Sequence, residues 1–208
     1  MLSSTKVWII PKIALIILAI ALLFGAIYFV VSNKKSPQSE EVSNNINEYQ
    51  SVSGNEQTFT IAQSEDGENN IYTDSQYKFS FEYPKDFTAT KFQEGEDGNT
   101  ILVQSSALNQ RSNQRSISGF QIFISPFDEP GPLTKERVKQ DLPDLIINNP
   151  EQRVLKNGAV ALVFFSEESS IGETREIWFV HNGYLYQIST YKELDSLVAK
   201  IISTWRFQ

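Results

Sequence analysis

The chain has 208 residues, 40% of them apolar and 21% charged, a balance that excludes a wholly disordered protein and suits one domain with added segments. Its formal net charge of −7 excludes the broad basic footprint of a nucleic-acid-binding protein. The absence of cysteine excludes disulfides, thiolate metal sites, a cysteine nucleophile and a lipid-modified N-terminal cysteine.

A short tail, residues 1–12, precedes an uncharged run at 13–31, IALIILAIALLFGAIYFVV. As a helix this run is about 29 Å long, close to the hydrocarbon thickness of a bilayer. Trp8 and Tyr28 stand near its ends, where amphipathic rings favour the interface. A cleaved signal peptide has a shorter apolar region and a small-x-small cleavage site, whereas this run ends on the bulky Tyr28-Phe29-Val30-Val31. The sequence therefore predicts a transmembrane signal anchor over 13–32, with the lipid bilayer as its partner. Lys6 and Lys12 before the span nearly balance Lys34 and Lys35 after it, so charge favours an N-inside orientation only slightly. Ala21 and Gly25 form a small-xxx-small pair, which ordinary apolar helices also contain.

Residues 33–70 are rich in Ser, Asn and Gln and carry Glu40, Glu41, Glu48, Glu56, Glu65, Asp66 and Glu68 with no base beyond Lys34 and Lys35. Apart from a brief alternation at 58–61 they hold no period. Such composition cannot offset the entropy of ordering, and a flexible acidic linker is predicted here, a spacer of roughly 30–40 Å as a random coil. The stretches 66–69 and 94–99 resemble calcium loops but lack the required ligand spacing, and turn chemistry accounts for both.

The domain is placed at 71–208. Tyr77 to Tyr83 alternates strictly, with four aromatics on one face, as a half-buried strand does, and Pro84 to Phe87 reads as a turn. Thr88–Phe92 and Thr100–Ser105 bracket a Gly- and acid-rich hairpin. A polar loop at 109–116 leads to a strand at Phe120–Phe127. Thr134 is positioned to cap a short helix reaching Leu142, which Pro143 ends. Strands are expected at Val154–Lys156, Ala159–Ser166 and Glu176–Val180, the last two apolar on both faces. Asn182-Gly183 between two such runs signals a tight hairpin returning through Tyr184–Thr190. Thr190 to Glu193 matches a capping box, and Leu194, Leu197, Val198, Ile201 and Ile202 then fall on one helical stripe. The order of elements argues for an α+β fold: a mostly antiparallel β-sheet covered by a C-terminal helix and a short middle helix.

Tyr72, the run Tyr77-Lys78-Phe79-Ser80-Phe81-Glu82-Tyr83-Pro84 and Phe87 resemble the opening of PsbP-like (Mog1-type) domains. Gly183 to Thr190, a helix, and Ile201-Ile202-Ser203-Thr204-Trp205-Arg206-Phe207 resemble that family's close. The resemblance covers about 72–207. It implies an α/β/α-type sandwich around an antiparallel sheet. The founding members are extrinsic photosystem II subunits, but the anchor and acidic tether depart from them, so no photosystem, manganese or calcium role is carried over.

The chemistry-bearing residues read as structural. His181, the single histidine, precedes an Asn-Gly turn, and no Gly-x-Ser-x-Gly, P-loop, Gly-x-Gly-x-x-Gly or His-Glu-x-x-His is present. Glu167, Glu168, Glu173 and Glu176 flank a hairpin, where a solvated edge competes with a carboxylate pair. Arg111, Arg115, Lys135, Arg137 and Lys139 make a basic patch diluted by Glu136 and Asp141. No catalytic, cofactor-binding or metal-binding residue is assigned, and no cofactor is expected. The function expected is that of an extracytoplasmic, non-catalytic module that binds or assembles an envelope protein partner. The alternatives are a carboxylate-based envelope hydrolase and a binder of small apolar ligands held between helix and sheet.

Overall fold

A computed structural model describes residues 58–105, 119–168 and 172–208. The apolar run at 13–31 and the polar loop at 109–116 lie outside these residues. Among the described residues no helix is long and apolar enough to cross a membrane. The described residues begin at Thr58, inside the stretch expected as linker. Two strands, β1 (Phe59–Gln63) and β2 (Asn69–Asp74), draw on the stretch read as linker. The short alternation at 58–61 was their signal, too brief to stand out from its polar surroundings.

Among the described residues eleven strands form two sheets rather than the single sheet expected. The smaller has the order β1-β2-β3-β11, with β3 at Phe79–Pro84 and β11 at Arg206–Phe207. The larger runs β4-β5-β6-β10-β9-β8-β7, comprising β4 (Phe87–Glu94), β5 (Gly98–Ser105), β6 (Gly119–Pro126), β7 (Asn148–Val154), β8 (Val160–Glu168), β9 (Gly172–His181) and β10 (Tyr184–Tyr191). All of their described pairings are antiparallel. The chain changes sheets at Lys85-Asp86, where Pro84 ends the donation of ladder hydrogen bonds.

The alternating aromatics do what their period requires. Tyr77, Phe79, Phe81 and Tyr83 are all buried. Tyr77 and Lys78 belong to the preceding turn rather than the strand, with Lys78 at φ 54° and the Asp74 Oδ1 accepting from the N–H groups of Gln76 and Tyr77, both at 3.0 Å. Across the large sheet Ile101, Ile122, Ile188, Ile177 and Val163 stand in register on one face. That face packs against the aromatics of the small sheet and against Val198, Ile201, Ile202 and Trp205. Helix α2 (Asp195–Thr204) thus buries Val198, Ile201 and Ile202 of the predicted stripe, while Leu197 is half-buried and Leu194 falls in the turn before the helix.

The connection from β6 to β7 passes over the opposite face. It carries α1 (Lys135–Asp141), capped as expected by Thr134, whose hydroxyl accepts from Arg137 N. Gln152, in register with Leu162, Trp178 and Gln187 on that face, donates to the Leu133 carbonyl at 2.7 Å. Helical elements therefore lie on both sides of the large sheet.

Two local expectations fail for physical reasons. The strand expected at Val154–Lys156 ends at Val154, and Leu155 to Gly158 instead form a turn closed by Gly158 N–H to the Leu155 carbonyl. The actual strand, β7, contains Asn148-Asn149-Pro150, which reads as a loop. It is an edge strand with every residue exposed, and a bulge between Asn148 and Glu151 accommodates the proline. The capping box at Thr190 also does not form. Thr190 stays in β10 and its hydroxyl donates to the Gly119 carbonyl at 3.0 Å. A 3-10 turn at Lys192–Leu194 intervenes, and Asp195 enters the first turn of α2, where a carboxylate complements the helix dipole. Arg175 Nε stands 3.0 Å from Asp195 Oδ1, an ion pair off the hydrogen-bond direction, and the guanidinium lies 4.4 Å over the Phe165 ring.

Candidate functional site

The carboxylates weighed for chemistry divide between the two faces of the large sheet. The pairing of β8 with β9 and of β9 with β10 places Glu176 on the same face as Trp178, and Glu173 on the other. Glu176 is buried. Its carboxylate accepts from Trp178 Nε1 at 3.0 Å and from Ser189 Oγ at 2.7 Å. Glu173 is exposed and bonded by Lys192 Nζ at 2.8 and 2.9 Å. Glu167 is exposed opposite Glu173. Glu173 and Glu176 therefore cannot flank one scissile bond, while Glu167 and Glu173 share a face at the exposed end of the hairpin.

The basic patch is drawn into local structure. Arg137 bonds Glu129 and the Pro130 carbonyl, the latter at 2.9 Å, and lies 4.9 Å over the Phe127 ring. Lys139 donates to the Pro143 carbonyl at 2.7 Å. Arg111 and Arg115 lie outside the described residues. The space between α2 and the sheet, where an apolar ligand was considered, is filled by Trp205 and its neighbours, the Phe79 ring stacking 4.4 Å away. Among the described residues no three His, Cys, Asp or Glu side chains cluster as a metal site would.

A cleft of about 880 Å³ opens elsewhere, at the end of the large sheet. Its walls include Phe127, Pro130, Pro132, Asn157, Val160 and Val180. Three contacts fix its outer wall, the 127–133 loop: Arg137 on Glu129 and Pro130, Gln152 on Leu133, and Phe127 N–H on the Gly183 carbonyl at 2.7 Å. The inner wall is the β7–β8 turn and the ends of β8 and β9. Val160 is 38% exposed, and Val154, opposite it in register, is 74% exposed, so the apolar lining continues onto the surface. The Asn157 carbonyl oxygen of the side chain accepts from Ala159 N at 3.0 Å, while its amide nitrogen is shielded from solvent and has no hydrogen-bond partner. The arrangement is a concave surface of mixed lining, in which Asp128, Glu129 and Gln152 stand beside the apolar side chains. Sequence reasoning missed it because its walls come from segments distant along the chain. The Asp128-Glu129-Pro130-Gly131-Pro132 run and the Asn157-Gly158 turn were legible only as loops.

His181 also borders this cleft. Its ring stacks on Phe207 with centroids 3.5 Å apart, and burial holds its pKa below the ordinary 6.5. As pH falls below 6.5 the unfolded chain takes up a proton that the folded one resists, so stability declines until the folded value is passed. His181→Gln should remove that part of the decline. Denaturant unfolding of wild type and variant at several pH values between 7.5 and 5 checks it, and parallel profiles would refute the assignment.

No family model matches the chain, and no curated protein emerges as a relative. Several solved structures are similar to it, two of them as follows. One is the solution structure of cyanobacterial PsbP (CyanoP) from Synechocystis sp. PCC 6803, at 14% identity and a TM-score of 0.45, covering 77% of this chain and 99% of that one. The other is a crystal structure from Bacteroides thetaiotaomicron VPI-5482, at 15% identity and a TM-score of 0.37, covering 63% of this chain and 45% of that one. Likeness at this level assigns no role.

Proposed function

We propose that this chain is a membrane-tethered, extracytoplasmic binding or assembly module, held to the bilayer through 13–32 and carrying a PsbP-like domain that engages an envelope protein without catalysis. The observation that carries the reading is the cleft beside Val160, open, partly apolar and braced by Arg137. The engagement of Glu176 by Trp178 and Ser189, and of Glu173 by Lys192, supports binding over carboxylate hydrolysis. The motifs at 72–84 and 183–207 support the family reading.

The test is in-cell cross-linking and pull-down with the full-length protein beside Val160→Arg. Val160 is partly exposed, so the charge is tolerated by the fold while it obstructs the cleft. An envelope partner recovered with wild type and reduced at least about tenfold with the variant is expected, the loss that about 1.4 kcal/mol of binding energy represents. Equal recovery would remove the cleft from the interface. No partner, under conditions that capture known complexes, would overturn the module itself.

A further inference from the structure

Among the described residues the two sheets leave four strand edges open, and three are blunted. At β7 the edge carries Pro150, a bulge, and the charges of Glu151 and Arg153. Lys91 and Glu94 lie within β4, and β11 is two residues long. These are the devices by which sheets avoid pairing with other chains. The remaining edge, β1, reads Phe59-Thr60-Ile61-Ala62-Gln63 and has no charge, no proline and a continuous register with β2. Four of its five residues are exposed.

The register also says which backbone groups face outward. Ser75 N–H donates to the Thr58 carbonyl at 2.8 Å, and Ser64 N–H to the Asn69 carbonyl at 2.9 Å. In an antiparallel ladder, hydrogen-bonded positions alternate, so Thr58, Thr60, Ala62 and Ser64 bond to β2. Phe59, Ile61 and Gln63 direct their N–H and C=O groups to the open edge. Ile61 stands in one row with Tyr72 and Phe81 on the sheet's inner face, yet is 47% exposed because the sheet ends there.

We propose that β1 is a self-pairing edge: two copies of this chain join antiparallel about a two-fold axis at Ile61, making one continuous sheet. Opposing Ile61 to its own copy sets Phe59 opposite Gln63 and Thr60 opposite Ala62. Every outward group on the strand then finds a partner, because each of the three outward positions exchanges both backbone bonds with its counterpart. The two Ile61 side chains cover each other and extend the Tyr72–Phe81 row. No like charges oppose one another, and the contact is isologous and closed. One short strand buries less than the roughly 1,200 Å² of a stable interface, so the dimer is transient in dilute solution.

The absence of cysteine allows a direct test with the full-length protein in detergent. Ile61→Cys places two thiols across a hydrogen-bonded pair, where Cα atoms are about 5.5 Å apart, within disulfide reach. Thr60→Cys puts its thiol on the other face and opposite Ala62. Mild oxidation should cross-link Ile61→Cys at least about tenfold faster than Thr60→Cys. A second arm mixes Ile61→Lys with Ile61→Glu: each alone is monomeric by sedimentation, and the mixture recovers wild-type association. Equal cross-linking at both positions, or none at Ile61, overturns the proposal, as does wild-type association that neither charged variant weakens.

Discussion

Replacing Asp74 with alanine is expected to destabilise the domain by about 3–5 kcal/mol, among the largest losses any single polar substitution can cause here. Asp74 is fully buried and Lys91 nearly so, with Nζ 2.9 Å from Oδ2. The three protons of the ammonium are directed at Asp74, at Thr58 Oγ1 at 2.9 Å and at Gln76 Oε1 at 3.0 Å, and it lies 4.8 Å from the Tyr77 ring centre. The carboxylate also accepts from Tyr72 and from the turn N–H groups of Gln76 and Tyr77. Lys91 comes from β4 and Asp74 from β2, so the pair joins the two sheets. Removing the carboxylate leaves a nearly buried cation without its counter-ion and takes the acceptor from the buried Tyr72 hydroxyl and from the Gln76 and Tyr77 N–H groups. Lys91→Met should cost somewhat less, since the carboxylate keeps its other donors. The double variant Asp74→Leu with Lys91→Met should be less destabilised than the sum of the singles, because neither charge is then left alone. Denaturant unfolding followed by tryptophan fluorescence gives all three values. A loss below about 1 kcal/mol for Asp74→Ala would show that the pair is solvated in solution, as exposed pairs are.

The second large effect is at Trp205. Its side chain is completely buried, stacked on Phe79 at 4.4 Å and Phe81 at 5.4 Å, with Phe179 and Tyr186 meeting it edge-on. Trp205→Ala should cost about 3–5 kcal/mol, the transfer free energy of the ring plus the cavity left behind. Trp205→Phe should cost about 1 kcal/mol only. The indole N–H is buried without a hydrogen-bond partner, so phenylalanine relieves an unsatisfied donor while it loses some contact. Thermal or denaturant unfolding of the two variants separates the contributions. If both lost the same stability, ring volume would not be the controlling quantity.

Where the signal was local, the sequence revealed the structure. The aromatic alternation of 77–83 is visible because its period matches a strand with one wet face. The Asn182-Gly183 hairpin is visible because both residues adopt positive φ, 48° and 78°. The stripe of α2 follows from its helical spacing. What stayed hidden depends on distant partners. Strand β7 has no buried residue, so it carries no hydrophobic pattern at all; its hydrogen bonds to β8 make it a strand. Thr190 has the composition of a cap but the position of a strand residue, and the ladder to β6 and β9 outweighs a local cap. Nor does any local pattern announce that Lys85-Asp86 carries the chain from one sheet to another. The carboxylates near 167–176 were legible as a group, while their division between two faces needed the register.

The C-terminal residues close the small sheet on a strand laid down far upstream. Phe207 pairs with Phe79, Arg206 with Ser80, and Thr204 Oγ1 accepts from the Glu82 N–H across 122 positions of the chain. Contacts of such sequence separation raise the contact order and slow folding, since a long loop must close before any of them forms. During synthesis, β1 to β3 are made before the last residues of the domain, and their aromatic face stays uncovered until residues 205–207 arrive. The domain therefore cannot lock one part at a time from its N-terminal end. It completes late, in one step, and a chain stalled before Trp205 would present Phe79 and Phe81 to whatever chaperone or protease is at hand.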